Sequence, residues 1–238
     1  MQIWTPYCGA APLPAELVVR WNFDPVLIAT LALAALIVAE RKGEVRWAGL
    51  AGLAVLAVIF VSPLCALSSA LFSARTIHHV LLVALAAPLL AWSLPMWRNQ
   101  RLAGATIVQT VVFWAWHAPT AYAAAMDSDS VYWLMQASLL AAAIGFWCAV
   151  RSARGPAAAA GLLAAMVGMG LLGAILTFAE APLYAPHQDS TLAWGLTALE
   201  DQQAAGLIMW APAAAVYLLA ALATMYRSLA PARQASSA

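Results

Sequence analysis

The chain has 238 residues, of which 65% are hydrophobic and only 9% are charged, and its formal net charge is +1. Soluble domains average about 25% charged residues, so this composition excludes an ordinary soluble globular protein. The net charge is uninformative about nucleic acid, but the sequence has no basic cluster of the kind that nucleic-acid binding needs, so we expect no such partner.

Apolar runs long enough to cross about 30 Å of hydrocarbon recur along almost the whole chain. We therefore predict an all-α polytopic membrane protein, a bundle of seven transmembrane helices in contact with the lipid bilayer. The predicted spans cover approximately residues 25–39, 47–67, 76–94, 103–122, 131–150, 156–179 and 204–226.

Three parts of the chain follow from these spans. Residues 1–24 are expected to form an extracytoplasmic arm rather than a signal peptide, because they lack a basic start and are interrupted by prolines. Residues 25–226 form the seven-helix transmembrane domain, and residues 227–238 form a cytoplasmic tail.

The orientation of the bundle follows from the distribution of lysine and arginine. Basic residues concentrate in alternate loops, at Arg41, Lys42, Arg46, Arg98, Arg101, Arg151, Arg154, Arg227 and Arg233, whereas the other side has Arg20 and Arg75. Because positive loops face the cytoplasm, we expect the N-terminus outside and the C-terminus inside. The chain is therefore expected in a plasma membrane, with the loop around residues 181–203 on the outer face.

The sixth span, residues 156–179, is rich in alanine and glycine. Ala160, Ala164 and Gly168 recur at four-residue spacing. Small residues on one face allow membrane helices to approach closely, so we expect this span to lie centrally. The three cysteines are widely spaced and odd in number, which makes a disulfide framework unexpected.

All four histidines fall on the predicted outer side. His78 and His79 open the third span, His117 closes the fourth, and His187 lies in the last outer loop. His79 and His117 belong to consecutive antiparallel helices and should lie at similar depth. A metal ion shared by these two histidines is feasible, and a shallow site would suit an ion that must be released.

Softer candidate ligands lie on the same side. Cys65 is near the outer end of the second span, and Met209 is near the outer end of the seventh. Imidazole together with thiol or thioether is the ligand set that Cu(I) prefers. We therefore predict a Cu(I) site with His79 and His117 as primary ligands and His78, Cys65 or Met209 as auxiliary ligands. The alternative is that these side chains only pack between helices and bind no metal.

Arg75 lies one helical turn before the histidines. An arginine at the membrane edge needs a carboxylate or phosphate partner. We predict Asp201 as that partner, with Glu180 as second choice and lipid headgroups as the alternative.

Several functional classes are excluded or disfavoured by single residues. A retinal protein needs a lysine inside the bundle, and the only lysine, Lys42, is in an inner loop. An ion pump would carry carboxylates in mid-membrane, but here they lie at span ends. A serine hydrolase of the G-x-S-x-G type is excluded because that motif does not occur. A haem-binding redox protein with His79 and His117 as axial ligands stays open.

Four stretches, in order, resemble the CtaG family, the multi-spanning assembly factors of caa3-type cytochrome c oxidase. They are YCGAAPLPAEL with RWNFDP, SPLCALSSALFSARTIHHVLLVALAAPLLAWSLP, FWAWHAPTAYAAA, and LEDQQAAGLIMWAP. The resemblance extends over almost the whole chain. Many members have His-x-x-Gln-His where this chain has Arg75 to His79, so Arg75 replaces a histidine.

The resemblance implies a non-enzymatic protein of the bacterial inner membrane that aids copper delivery to a haem-copper oxidase at the outer face. His79 and His117 match family histidines, and Asp201 and Gln202 match an Asp-Gln pair where the last span begins. The implied partners are the oxidase subunits and a periplasmic copper donor. Two alternatives stay open, a haem-binding redox protein and a metal-free structural partner of the oxidase.

Overall fold

The computed structural model describes residue 4, residues 6–95 and residues 101–229, and every structural statement below concerns those residues. Arg98, Arg233 and most of the predicted tail lie outside the described residues. The described chain is all-helical. Its α-helices are α1 Pro25–Ala39, α2 Gly43–Val61, α3 Pro63–Ala70, α4 Phe72–Leu81, α5 Ala87–Ser93, α6 Leu102–Trp116, α7 Pro119–Asp127, α8 Asp129–Ser152, α9 Gly155–Thr177, α10 Ala198–Ile208 and α11 Ala214–Leu229.

The all-helical membrane architecture is confirmed. Five helical segments are long and apolar enough to cross a bilayer, and two shorter apolar helices, Pro25–Ala39 and Leu102–Trp116, coincide with the first and fourth predicted spans. The five longer segments are Gly43–Val61, Phe72–Ser93, Asp129–Ser152, Gly155–Thr177 and Ala198–Leu229. The count of seven spans and the outward N-terminus stay predictions.

Two predicted spans are interrupted at a proline. The second ends at Val61, and Ser62 then accepts a bond from the Leu64 amide to cap a separate helix that begins at Pro63. The fourth ends at Trp116, and α7 restarts at Pro119. Proline has no amide hydrogen and fits the first turn of a helix, so each proline starts a new helix in a new direction.

Two further prolines lie beside or within a π-helical turn, which is wider than the α-helix but does not end it. A π-helical turn at Leu82–Ala86 joins α4 to α5 directly before Pro88, and another at Met209–Ala213 joins α10 to α11 and contains Pro212. A π-turn accommodates one extra residue in the helix, which relieves the clash of the proline ring with the preceding turn. Both segments therefore stay continuous across the membrane.

Helix α9 packs against α6, α8, α10 and α11. Its opposite face, with Val167, Leu171 and Ile175, is exposed, so the expected central position is wrong; the segment Phe72–Ser93 is the most buried of the five long ones.

The closest approach of α9 is to α10, where a Cβ atom added to Gly173 would lie 2.7 Å from the Gly206 carbonyl oxygen. On another face, a Cβ atom at Gly168 would lie 2.9 Å from Cγ2 of Thr110 in α6. Glycine is required at the Gly173–Gly206 crossing because the two helix backbones are almost in contact, whereas at Gly168 the space is taken by the Thr110 side chain.

One end of the bundle, which we call the loop end, gathers the N-terminal arm, the α3–α4 and α6–α7 junctions and residues 178–197. Trp194 Nε1 donates to the Pro12 carbonyl oxygen at 3.2 Å, and Ser190 Oγ donates to that of Ala70 at 2.6 Å. The Asn22 amide donates to the Val61 carbonyl at 2.9 Å. These bonds hold the arm and the long loop over the ends of the helices.

A disulfide between Cys8 and Cys65 fastens the arm to α3, with Cα atoms 5.3 Å apart. The expectation that the cysteines are unpaired is therefore wrong for these two, and Cys148 is the free thiol. The two cysteines are 57 residues apart in sequence and meet only because Pro63 turns α3 toward the arm. A disulfide agrees with an oxidising, extracytoplasmic location for the loop end.

Candidate functional site

The structure brings His79 and His117 together near the loop end. His79 lies in α4, and His117 is the residue that ends α6. His79 Nδ1 is 3.5 Å from His117 Nε2, with the two rings nearly perpendicular at 83°. The break before Pro119 positions His117, because it ends α6 at the depth of His79.

The tautomer of His117 is defined by the hydrogen bond of its other ring nitrogen, Nδ1. His117 Nδ1 lies 2.6 Å from the Phe113 carbonyl oxygen, which accepts only from an N–H group. Neutral His117 therefore carries its hydrogen on Nδ1 and presents the Nε2 lone pair to His79. A backbone carbonyl bound to the far nitrogen is how proteins commonly orient a metal-binding histidine.

Gln136 of α8 completes a hydrogen-bonded chain and was missed in the sequence. Its Nε2 lies 3.4 Å from His79 Nε2, while its Oε1 has no partner among the described residues. Along this series of hydrogen bonds, Gln136 donates to His79, His79 donates to His117, and His117 donates to the Phe113 carbonyl. The available signal was a lone amide inside an apolar span, because polar groups at that depth need a specific partner.

The fit of the pair to an ion can be judged from its spacing. Two nitrogen–metal bonds of about 2.0 Å in line would separate the nitrogens by about 4 Å, and 3.5 Å is somewhat shorter. An ion therefore fits off the line between the nitrogens or after a small opening of the pair. The described residues contain no cluster of three or more His, Cys, Asp or Glu side chains, so the pair supplies two protein ligands of these types.

Of the predicted auxiliary ligands, the structure excludes Cys65, while His78 and Met209 stay predictions. The His78 ring packs edge-on against Phe60 at 4.9 Å, with its centroid 5.9 Å from that of His79. Cys65 is in the disulfide and has no thiolate, the form that binds metals. Met209 is fully buried beside Gly173 of α9.

The expectation of an open site is wrong, whereas its shallow depth in the membrane stays a prediction. The side chain of His79 is 0% exposed and that of His117 is 2% exposed. Tyr184 of the long loop closes the site, because its ring stacks on Phe72 at 3.7 Å and its hydroxyl donates to the His117 carbonyl oxygen at 2.7 Å. Tyr184 therefore covers the His117 side of the pair, whereas on the α8 side Gln136, which contacts His79, lines a cavity of about 420 Å³.

The predicted ion pair between Arg75 and Asp201 does not form. The Asp201 carboxylate accepts from the Phe72 amide at 2.6 Å, the Ser73 amide at 3.2 Å and the Ser73 hydroxyl. Leu71 is extended, so α4 begins at Phe72 with free amides, and Asp201 caps them from α10. Arg75, on the next turn, faces Met126 and Tyr132 instead.

Gln202 is also a structural tie rather than part of the histidine pair. Its Oε1 accepts from the Leu183 amide at 2.7 Å, and its Nε2 donates to the Ala181 carbonyl at 3.4 Å. The Asp-Gln pair therefore connects α10 to α4 through Asp201 and to the long loop through Gln202.

His187 lies apart from the pair and is buried in the long loop. Its Nε2 shares a hydrogen bond of 2.6 Å with the Tyr122 hydroxyl. Burial lowers the pKa of His187 to about 3, so the ring is neutral at physiological pH. His187 packs the loop against α7.

A helical bundle with five segments long and apolar enough to cross a bilayer has the architecture of a polytopic membrane protein. The sequence model described as cytochrome c oxidase caa3 assembly factor matches residues 27–230. The chain belongs to this family, as its motifs indicated. No curated protein matches it, and no solved structure matches it.

Proposed function

We propose that this protein is a non-enzymatic assembly factor that holds Cu(I) between His79 and His117 and passes it to a haem-copper oxidase. The single observation that supports the ion site is the 3.5 Å approach of two buried imidazole nitrogens, one of which presents its lone pair. Membership of the caa3 assembly-factor family supports the oxidase as the destination.

The chemistry of the site favours a soft monovalent ion. Both ligands are neutral imidazoles, and the nearest charged side chain along α4 is the cation Arg75. Burial of a divalent ion without carboxylates is costly, whereas Cu(I) carries one charge and prefers soft or imidazole ligands.

Ion binding at the pair requires a change in the hydrogen-bonded chain. His79 Nδ1 must give up the hydrogen that it donates to His117, and the hydrogen then resides on His79 Nε2. Gln136 can accept it after rotation of its amide, because its Oε1 has no other partner. The protein thus accommodates the ion by exchanging one tautomer of His79 for the other.

The remaining assignments follow from topology and family. The loop end faces the outside of a bacterial plasma membrane, where a periplasmic donor delivers copper and the oxidase subunits receive it. The disulfide is consistent with that side of the membrane. The long loop, which covers the pair through Tyr184, is the element that moves when copper enters or leaves.

The test is Cu(I) binding by anaerobically purified protein in competition with a chromophoric Cu(I) chelator. Wild type should bind one Cu(I), and the double variant His79→Ala/His117→Ala should bind none. His187→Ala is the matched control, because it removes a buried histidine of the same end that lies apart from the pair. Equal binding by wild type and the double variant would refute the proposal.

A metal-free structural role is the second candidate, and one observation favours it. The chain from Gln136 through His79 and His117 to Phe113 satisfies all four imidazole nitrogens without any ion. In that case His79→Gln/His117→Gln should retain oxidase assembly in cells, while the copper carrier predicts its loss.

Haem ligation by the same histidines is disfavoured. A porphyrin between two axial histidines would separate their rings, whereas these nitrogens are 3.5 Å apart. A colourless preparation without a Soret band is the expected result.

A further inference from the structure

Arg75 is a fully buried cation without a protein counter-charge. Its side chain is 0% exposed, and its guanidinium contacts the Met126 sulfur at 3.7 Å and the Tyr132 ring at 5.2 Å. Nε and Nη1 have no hydrogen-bond partner among the described residues. A guanidinium stays charged in proteins, and a buried charge requires a partner.

Three carboxylates of the loop end are engaged elsewhere, and no hydrogen bond or ion pair joins a carboxylate of the described residues to Arg75. Asp201 caps α4, Glu200 forms a capping box with Thr197, and Asp24 caps α1. A tyrosine face and a thioether attract a cation only weakly compared with a carboxylate. Arg75 therefore retains unused donors of the kind that bind a planar anion in two places.

A cavity of about 270 Å³ lies on the far side of Met126 from Arg75: Met126 lines the cavity, and Arg75 does not. Its walls come from the N-terminal arm, through Trp4 and Pro6, and from the long loop. Ser69 and Met126 line it from the helices; the Ser69 hydroxyl has no partner, and Met126 is the residue in contact with Arg75. A flexible methionine thus stands between the cavity and the guanidinium.

We propose that Arg75 and this cavity form a binding site for a single carboxylate, either a free small carboxylate or an acidic side chain of a partner protein. The planar fork of arginine matches a carboxylate through two parallel hydrogen bonds. Asp189 also lines the cavity and is exposed; its negative charge opposes any anion there, and opposes a dianion such as phosphate about twice as strongly as a singly charged carboxylate. The cavity accommodates acetate or one glutamate side chain when Met126 turns aside.

The site is coupled to the histidine pair through α4. Arg75 precedes His79 by one turn, which places side chains of a helix about 6 Å apart at their Cβ atoms. The uncompensated cation opposes a metal cation at His79, and a bound carboxylate removes that repulsion. Carboxylate and Cu(I) should therefore each strengthen binding of the other, by the same factor. This coupling rests on the proposed function, whereas the carboxylate site itself does not.

The first experiment uses metal-free, full-length protein and measures thermal stability against sodium acetate, from about 1 to about 100 mM, at constant ionic strength set with methanesulfonate. Wild type should gain stability saturably, as expected for a ligand that binds the folded state. Arg75→Gln should be unresponsive to acetate. Arg20→Gln, which removes an arginine of the same end that is bonded to the Ala10 carbonyl, should respond like wild type.

An equal acetate response in wild type and Arg75→Gln would overturn the site, as would no saturable response in wild type. If Arg75→Gln does not accumulate in cells, Arg75→Lys replaces it. Lysine keeps the positive charge but lacks the planar guanidinium that forms two parallel hydrogen bonds. The acetate concentration that gives half of the maximal stabilisation should therefore rise. An unchanged half-maximal concentration in Arg75→Lys would also overturn the two-bond arrangement.

The source of the carboxylate is distinguished with N-acetylglutamate N-methylamide, which imitates an acidic side chain in a peptide. Stronger stabilisation by this compound than by acetate supports a partner's side chain, and weaker stabilisation supports a small free anion. Stabilisation by neither compound overturns the proposal.

The coupling is measured last, as Cu(I) affinity with and without saturating acetate. We expect about a tenfold gain in wild type, within the usual range of such couplings, and none in Arg75→Gln. Loss of Cu(I) binding in His79→Ala/His117→Ala with an intact acetate response confirms two separate sites. An acetate response without any Cu(I) binding in wild type refutes the proposed function alone.

Discussion

The Asp201 carboxylate is the strongest single tie between α10 and α4, and its removal provides the clearest test of the architecture. Asp201 is fully buried and accepts two main-chain amides of α4, from Phe72 and Ser73. In Asp201→Ala both amides lose their acceptor. Each buried amide without a partner costs about 1–3 kcal/mol, so we expect the free energy of unfolding to fall by about 4 kcal/mol.

Two companion variants separate the bonds from the charge. Asp201→Asn keeps one acceptor oxygen but loses the charge, which roughly halves the strength of such bonds, so it should cost about 2 kcal/mol. Glu200→Ala is the matched control, because Glu200 bonds only within the exposed capping box with Thr197. Because these bonds are exposed to solvent, this change should cost less than either change at Asp201.

The assay is unfolding in mixed micelles with increasing SDS fraction, followed by far-UV circular dichroism and tryptophan fluorescence. The expected order of loss is Asp201→Ala, then Asp201→Asn, then Glu200→Ala. If Asp201→Ala stays within about 1 kcal/mol of wild type, the argument from unsatisfied buried amides is refuted.

Three further outcomes are expected from the same assay. Burial lowers the pKa of His187 to about 3, so the unfolded chain takes up this proton first as the pH falls. The stability that the neutral His187 ring contributes is complete above pH ~6.5 and is lost as the pH falls toward 3. Between these two pH values, His187→Gln should reduce the slope of stability against pH by up to about 1.4 kcal/mol per pH unit. An unchanged slope would contradict the burial of this ring. The disulfide closes a loop of 57 residues, so Cys8→Ser/Cys65→Ser should lose about 4 kcal/mol, and wild type should lose stability under a dithiol reductant while the double variant does not. Gly206→Ala places a Cβ atom 2.5 Å from a main-chain oxygen of α9 and should cost about 2 kcal/mol. In contrast, Gly145→Ala meets no atom within 4 Å and should gain about 0.5–1 kcal/mol from helix propensity; a loss in both would contradict the described helix crossing.

The pairing of His79 with His117 illustrates how far the sequence reaches. Two histidines at facing ends of consecutive apolar segments must lie at similar depth, because antiparallel helices of similar length align their ends. Which nitrogen of each ring faces the other depends on the backbone at Phe113 and on Gln136 of α8. Those partners are set by the rotation of three helices about their axes, which hydropathy does not define.

The same limit explains the predictions that were wrong. Arg75 and Asp201 are both at the outer ends of their segments, and charge alone favours their pairing. The extended residue Leu71 instead begins α4 with free amides beside Asp201, and these amides take the carboxylate. The turn at Pro63 likewise brings Cys65 to the arm and to Cys8, at a distance that spacing in the sequence does not indicate.

The sequence by itself determined the class of the protein. Composition and apolar length require a helical membrane bundle, because only helices satisfy every backbone group within a single apolar segment. The order of its motifs identified the family, and the family model confirms it. The tertiary structure alone decided the closed histidine pair, the disulfide, the Asp201 cap and the unpaired guanidinium of Arg75. Each of these depends on which faces of helices distant in sequence meet, and a hydropathy pattern does not specify the rotation of a helix about its axis.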